Sequence, residues 1–338
     1  MNDERRTPLQ DRLAALVRQF PKRHVVVVGD VVADEFVYGE ISRVSREAPV
    51  MILRYESTQT IPGGAGNAAA NIASLDATVS LVGFVGRDRP GRATTLELRR
   101  RGVDTTGVVS VGGHTTPTKT RILAGLAHSL RQQVIRIDNE SPLVAVEGIT
   151  SRLVAELRKK AETADAIVIS DYNYGAASAD VVAAVREIAH ARRVPVLVDS
   201  RFKLSQFAGF TTATPNEAEL EEMAGVPLVT ESAVMEAGER IAEALGFDAL
   251  LVTRGSRGMA LFERGREPVR IPIVGQADAI DVTGAGDTEI ATYGLGLASG
   301  ASFEEAAHLA NHAGGLVVMK RGTATISREE LLASILKW

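Results

Sequence analysis

The sequence has no cysteine among its 338 residues. Disulfides, zinc–thiolate centres and thiol nucleophiles are thereby excluded, and a reducing cytoplasm fits. No charge sign dominates either: 38 Lys and Arg stand against 42 Asp and Glu, a net charge of -4. That balance argues against a nucleic-acid or membrane-surface partner. No apolar run approaches the roughly 20 residues of a membrane span. Asp3, Glu4, Arg5 and Arg6 are charged and no apolar core follows, so the N-terminus does not read as a secretory leader. Leu9, Leu13, Leu16, Val17 and Phe20 recur there at helical spacing instead. The glycosylation-type triplet Asn139, Glu140, Ser141 is empty without secretion. H-E-x-x-H, the P-loop G-x-x-x-x-G-K-[ST], the G-x-S-x-G elbow and the protein-kinase signature set are all missing.

What is present is a chain that is 45% hydrophobic and long enough for one large domain or two. Short apolar runs at residues 24–28, 79–85, 166–170, 194–199 and 249–253 read as strands. Amphipathic stretches at 66–75, 90–101, 147–160, 179–192, 231–245, 285–298, 303–319 and 327–337 read as helices. Alternating strands and helices predict an α/β fold, a mostly parallel sheet with helices on both faces. Two polar, strand-like excursions, about 36–60 and 114–138, break the rhythm and are expected to pair into a small β lid. No long linker or internal repeat appears, so the expectation is one domain over 1–338 carrying a lid.

Three short segments have the composition of a chemical site. In 281–287, Asp281, Val282 and Thr283 lead into Gly284, Ala285 and Gly286 at a helix start. Small residues let helix-start amides approach an anion, and the helix dipole adds to the attraction. Such a cradle suits phosphoryl transfer. Asp287, in the first turn, is placed to take a proton from an attacking hydroxyl; a plain glycine turn with an acid at a helix start accounts for the same residues. The second segment, Gly63, Gly64, Ala65, Gly66, Asn67, contains a G-x-G-x-x-A match. A dinucleotide fingerprint belongs after the first strand, though, and that strand ends at Gly29 and Asp30. A glycine turn exposing backbone to a polar ligand, with Asn67 as donor and acceptor, fits better; a capping turn fits too. In the third segment, Pro215 opens a helix whose Asn216 and Glu219 either cap it or face a hydrated magnesium ion. Asp30, Asp34, Asp171 and Asp199 recur at strand ends, where a polyhydroxylated ligand would sit. Arg43, Arg46, Lys119, Arg121, Arg131 and Arg136 make the lid segments basic, as a solvated face or a phosphate site.

In this order the segments resemble the ribokinase-like (PfkB) carbohydrate kinases, over about residues 24–335. Within that family the chain is similar to the bacterial heptose-7-phosphate kinases through residues 38–50, 118–121, 132–138, 170–172 and 251–254 and the Gly322, Thr323 tail. The resemblance implies a three-layer ribokinase-like fold, ATP and Mg2+ as cofactors, and a sugar or sugar phosphate as acceptor. It implies Asp287 as base, with the Gly284, Ala285 and Gly286 amides as anion hole. Asn216 and Glu219 would order magnesium, and Thr253, Gly255, Gly258 and Asn311 would line the nucleotide pocket. Asp34, Gly64, Asn67 and Asp171 would hold the sugar, and Lys119, Arg121, Arg136 and Arg201 its phosphate. Asp281 and Thr283 would face a potassium ion, and the lid would build a homodimer. The resemblance also places outside this chain, which ends at Trp338, the nucleotidyltransferase domain that some of these kinases carry. Two departures bear on the acceptor. Tyr174 and Arg201 stand where the heptose kinases carry lysine, and Arg and Lys are not interchangeable at a phosphate. Another sugar kinase, a nucleoside kinase, or a non-catalytic sugar sensor on the same fold are the alternative readings.

Overall fold

A computed structural model describes residues 7–125, 131–140, 148–275 and 279–338. The chain runs α1 (Pro8–Val17), β1 (His24–Gly29), β2 (Val31–Val44), β3 (Met51–Gly64), α2 (Ala65–Ser74), β4 (Thr78–Gly86), α3 (Arg89–Arg100), β5 (Asp104–Val111), β6 (Thr118–Gly125) and β7 (Gln132–Asn139). It continues through α4 (Ile149–Ala161), β8 (Ala166–Asp171), α5 (Ala179–Arg192), β9 (Val196–Ser200), β10 (Thr212–Ala213), α6 (Glu217–Ala224), α7 (Glu231–Leu245) and β11 (Ala249–Thr253). Then follow β12 (Met259–Glu263), β13 (Val269–Ile271), α8 (Ala285–Ala298), α9 (Phe303–Val317) and α10 (Arg328–Lys337).

Nine strands form one sheet in the order β13-β12-β11-β10-β9-β8-β1-β4-β5. The strands from β5 to β11 are parallel, and β12 and β13 add an antiparallel edge. The apolar runs explain the burial. Val25 and Val27 pack with Val168, Leu197 and Leu251 under α1, α2, α8, α9 and α10. Val26 and Val28 pack with Ile169, Val198 and Val252 under α4, α5 and α7. Side chains alternate across a strand, so an unbroken valine run feeds two cores at once. Each buried Val or Leu contributes roughly 1.5–3 kcal/mol. The three layers expected from the sequence are therefore present.

The lid is a separate four-stranded sheet, β3-β2-β6-β7. Strand β2 is antiparallel to β3 and parallel to β6, and β6 is antiparallel to β7. The lid strands start at Val31 and run to Gly64, longer than the expected 36–60. Only Asp30 separates β1 from β2, so the lid springs directly from the carboxyl end of an interior strand of the large sheet. The sequence reading did not name β10, β12 or β13, which are short, and β10 has only two residues. Pro215 lies just before α6, whose N-cap is Asn216. Residues 126–130 of the second lid excursion, residue 147 of the expected helix and Ser141 lie outside the described residues.

Candidate active site

The carboxyl ends of β8, β9, β10 and β11 meet the lid around a cavity of about 370 Å³. Open α/β sheets bind ligands at this end of their strands. Fifteen of the expected site residues line it: Asp34, Gly64, Lys119, Arg121, Arg136, Asp171, Arg201, Asn216, Glu219, Thr253, Thr283, Gly284, Ala285, Gly286 and Asp287. A larger chamber of about 1140 Å³ adjoins it through Arg121, Thr283 and Thr323 and takes in Asp281. Carboxylates converge only on the smaller space, and there the chemistry is concentrated.

Helix α8 points its N-terminus into the cavity. Gly284 is its N-cap with φ 79°, a left-handed conformation that favours glycine. A Cβ at Gly284 would lie 2.7 Å from Asn67 Nδ2, so the position is closed to side chains twice over. The first amides of a helix have no intrahelical partner and attract anions. Asp287 is buried in that first turn. Asn67 Nδ2 donates to Asp287 Oδ2 at 2.7 Å, and the Tyr172 hydroxyl donates to Oδ1 at 3.2 Å. Burial pushes the Asp287 carboxyl up to about 7 against the pull of these two bonds. A carboxylate that titrates near neutrality is suited to general-base work.

The glycine turn both starts α2 and borders the cavity. Gly64 is the N-cap of α2 with φ 56°, and it also faces the cavity. A Cβ at Gly63 would lie 2.7 Å from Asp34 Oδ2, so that glycine leaves room for the Asp34 carboxylate. Asp34 accepts from Arg121 Nη1 at 2.5 Å, so two residues expected to hold different parts of the ligand are paired with each other. Asp171 accepts from the Ser200 hydroxyl at 2.7 Å. Asp30, by contrast, is spent on structure: it accepts amides from Tyr172, Tyr174 and Ala176. In the lid, Arg121 and Arg136 are direct cross-strand neighbours. Like charges in that position are destabilising unless an anion lies between them. Arg136 is held by both Asp138 oxygens at 2.8 Å. Lys119 is pushed down by burial and then by the Arg201 charge, which puts two more cations side by side.

Asn216 and Glu219 form a capping box. Asn216 Oδ1 accepts from the Glu219 amide, and Glu219 Oε2 accepts from the Asn216 amide, both at 2.9 Å. They also face the cavity. Burial raises the Glu219 carboxyl, so a cation arriving there would favour its ionised form. Among the described residues no cluster of three or more His, Cys, Asp or Glu stands ready to hold a metal. The oxygen donors fit an ion that keeps its waters, as magnesium does. Asp281 already accepts amides from Thr283 and Gly322, both at 2.9 Å. Gly255, Gly258 and Asn311 stay outside the cavity. A Cβ at Gly258 would lie 2.1 Å from the Ile271 carbonyl, and Asn311 Nδ2 donates to the Pro272 carbonyl at 2.7 Å.

Sequence reasoning left Tyr172 without a role and read Asp199 only as one of the acids recurring at strand ends. Tyr172 follows Asp171 at the end of β8, and that adjacency is its only signal. Asp199 lines the cavity, and burial, then the Asp287 and Glu219 charges, push its carboxyl well up.

The pattern of the pfkB family carbohydrate kinases matches residues 22–330. Bifunctional protein HldE of Geobacter metallireducens is 38% identical over 313 residues, covering 92% of this chain and 63% of that protein. Bifunctional protein HldE of Haemophilus influenzae is 38% identical over 320 residues, covering 94% of this chain and 65% of its own. The chain thus spans less than two thirds of the length of these curated relatives. Arabidopsis thaliana ribokinase, solved with ribose and ATP, superposes with a TM-score of 0.70 at 24% identity, covering 93% of this chain and 98% of that one. Escherichia coli phosphofructokinase-2, solved with substrates and products, gives 0.74 at 19% identity, covering 94% and 100%. These two likenesses show a shared fold. The family match and the relatives at 38% identity show more: this chain belongs to the pfkB family of carbohydrate kinases, which are sugar phosphotransferases.

Proposed function

We propose that the chain transfers the γ-phosphoryl group of ATP to a sugar or sugar-phosphate hydroxyl, foremost the anomeric hydroxyl of a heptose 7-phosphate. The observation that carries this reading is Asp287. It is a buried carboxylate poised near neutrality, three residues into a helix whose free amides face the same cavity. The acceptor oxygen bonds to phosphorus as the bond to the β-phosphate oxygen breaks, and Asp287 takes the hydroxyl proton. The amides of Gly284, Ala285 and Gly286 stabilise charge on the transferring group. Asp34, Gly64 and Asp171 hold the sugar, and Asn67, buried away from the cavity, acts through its bond to Asp287 instead. Thr253, Gly255, Gly258 and Asn311 hold the nucleotide. Asn216 and Glu219 order magnesium through its waters. When bound, that ion neutralises charge on the phosphates. A potassium ion beside Asp281 and Thr283 belongs to the same reading.

The crowding of Lys119, Arg121, Arg136 and Arg201 supports an acceptor that already carries a phosphate, because an anion relieves their repulsion. Arg201 lines the cavity, whereas the Tyr174 hydroxyl donates to Glu140 at 2.5 Å. Arg201 therefore takes over phosphate contact from the missing lysines. We read residues 1–338 as one kinase domain with its lid, working in the cytoplasm, where ATP is. Among the described residues no helix is long and apolar enough to cross a membrane. Exposed Tyr55, Ile135 and Ile137 share one lid face and support pairing of two chains there.

A coupled assay of ATP consumption, with magnesium, against phosphorylated and unphosphorylated heptoses and hexoses tests this. Turnover is expected to be fastest with heptose 7-phosphate. Asp287→Asn should lose about 10²–10⁴-fold in rate while still binding nucleotide. Full activity in that variant would remove the assignment.

A further inference from the structure

Asn67 does not meet Asp287 alone. Behind it, Asn71 Nδ2 donates to the Asn67 main-chain carbonyl at 3.0 Å and to Asn67 Oδ1 at 3.2 Å. Behind Asn71, the Thr288 hydroxyl donates to Asn71 Oδ1 at 2.8 Å. All four side chains are buried, and Asn67, Asn71 and Thr288 are almost wholly withdrawn from water. The chain closes a loop between α2 and the first turn of α8, because Thr288 is the residue after Asp287.

The direction of every bond follows from one fixed point. A main-chain carbonyl can only accept, so the Asn71 amide must turn its NH2 to Asn67. Its oxygen then faces Thr288, whose hydroxyl must donate. With Asn71 donating to Asn67 Oδ1, the Asn67 NH2 is left to face Asp287. An amide turned the other way would set its oxygen against the carboxylate.

We propose that Thr288 and Asn71 are positioning residues that lock the Asn67 amide with its NH2 on Asp287 and so keep that carboxylate ready to accept a proton. This rests on Asp287 being the base. The other groups facing Asp287 are Tyr172 from the loop after β8, Asp34 from β2, Lys119 from β6 and Asp199 from β9. None of them lies behind Asn67, so the lock can be altered separately.

The test is the pH profile of kcat/KM for the wild type and three variants. Thr288→Val removes the donor to Asn71 Oδ1 and leaves the Asn71 amide held from the Asn67 side alone. Its rising limb should move to higher pH by about one unit, the worth of one hydrogen bond. Activity at pH 7 should then fall several-fold, and the curve should rejoin the wild type at alkaline pH. Asn71→Asp cannot donate to Asn67 and should move the limb further in the same direction. Thr288→Ser keeps the hydroxyl and should overlay the wild type. Nucleotide affinity and thermal unfolding identify any variant that has merely unfolded. A Thr288→Val profile that overlays the wild type, or drops equally at all pH values, would overturn the lock. So would a Thr288→Ser profile no better than Thr288→Val. Should Asp287→Asn prove fully active, the base assignment falls first, and the two failures are told apart.

Discussion

In β1 of the large sheet four successive valines are buried on both faces, whereas every residue of lid strand β7 is exposed. Helix α8, packed on the large sheet, carries the acid and the helix start, and the glycine turn ends lid strand β3 where it meets α2. The lid carries most of the cations. One region sets atoms to within fractions of an ångström by packing backbone against backbone. The other presents charges on strands with little core beneath them. On the proposed roles, reaction chemistry sits on the well-packed part, and recognition of the acceptor sits on the part that packing constrains least.

Substitutions on either side should separate the two regions. The largest effect is expected at Gly284, where alanine brings both a strained φ and a Cβ against Asn67. Gly284→Ala should lower kcat by about 10²-fold or more with KM for the sugar little changed; steady-state kinetics decides. In stability, Leu251→Ala in the core should cost about 2–5 kcal/mol in urea denaturation. Ile137→Ala on the lid should cost no more than about 0.5 kcal/mol. A larger loss at Ile137 that grows on dilution would instead mark a partner chain on that face. Arg201→Gln should raise KM for a phosphorylated acceptor about tenfold and leave an unphosphorylated one unchanged. Equal effects on both would move the phosphate elsewhere.

The pH profile gives the smallest effect. A base must be ionised, so kcat/KM should rise with pH and reach half its plateau near 7, where Asp287 titrates. The sign for stability is opposite. A carboxyl raised on folding favours the native state most below its unfolded pKa, and this contribution fades as pH rises through 7. A flat rate profile from pH 6 to 8 would separate Asp287 from the proton transfer.

The contrast also explains what could be read from sequence. Buried strands announce themselves as apolar runs, so β1, β4, β8 and β11 were visible, and so were the helices with repeating apolar faces. The sequence Asp281 to Asp287 pointed to a candidate site through its small residues at a helix start, although a plain glycine turn with an acid there accounts for the same residues. Contacts between distant segments leave no local trace. Asp34 with Arg121, Tyr172 with Asp287 and Thr288 with Asn71 appear only when the sheets assemble. The Asn216 and Glu219 pair shows a further limit. Capping and metal ordering ask for the same residues at the same spacing; the capping box is formed, and metal ordering is the proposed second use of the pair.

The parallel pairing of β2 with β6 has a consequence for how the chain folds. Arg121 and Asp34, which meet there, lie 87 positions apart. Loop closure over such a span is slow compared with forming local helices. We expect the acceptor pocket to be the last region to mature after dilution from denaturant. Far-UV circular dichroism should recover before sugar binding does, and simultaneous recovery would show that the lid docks along with the core.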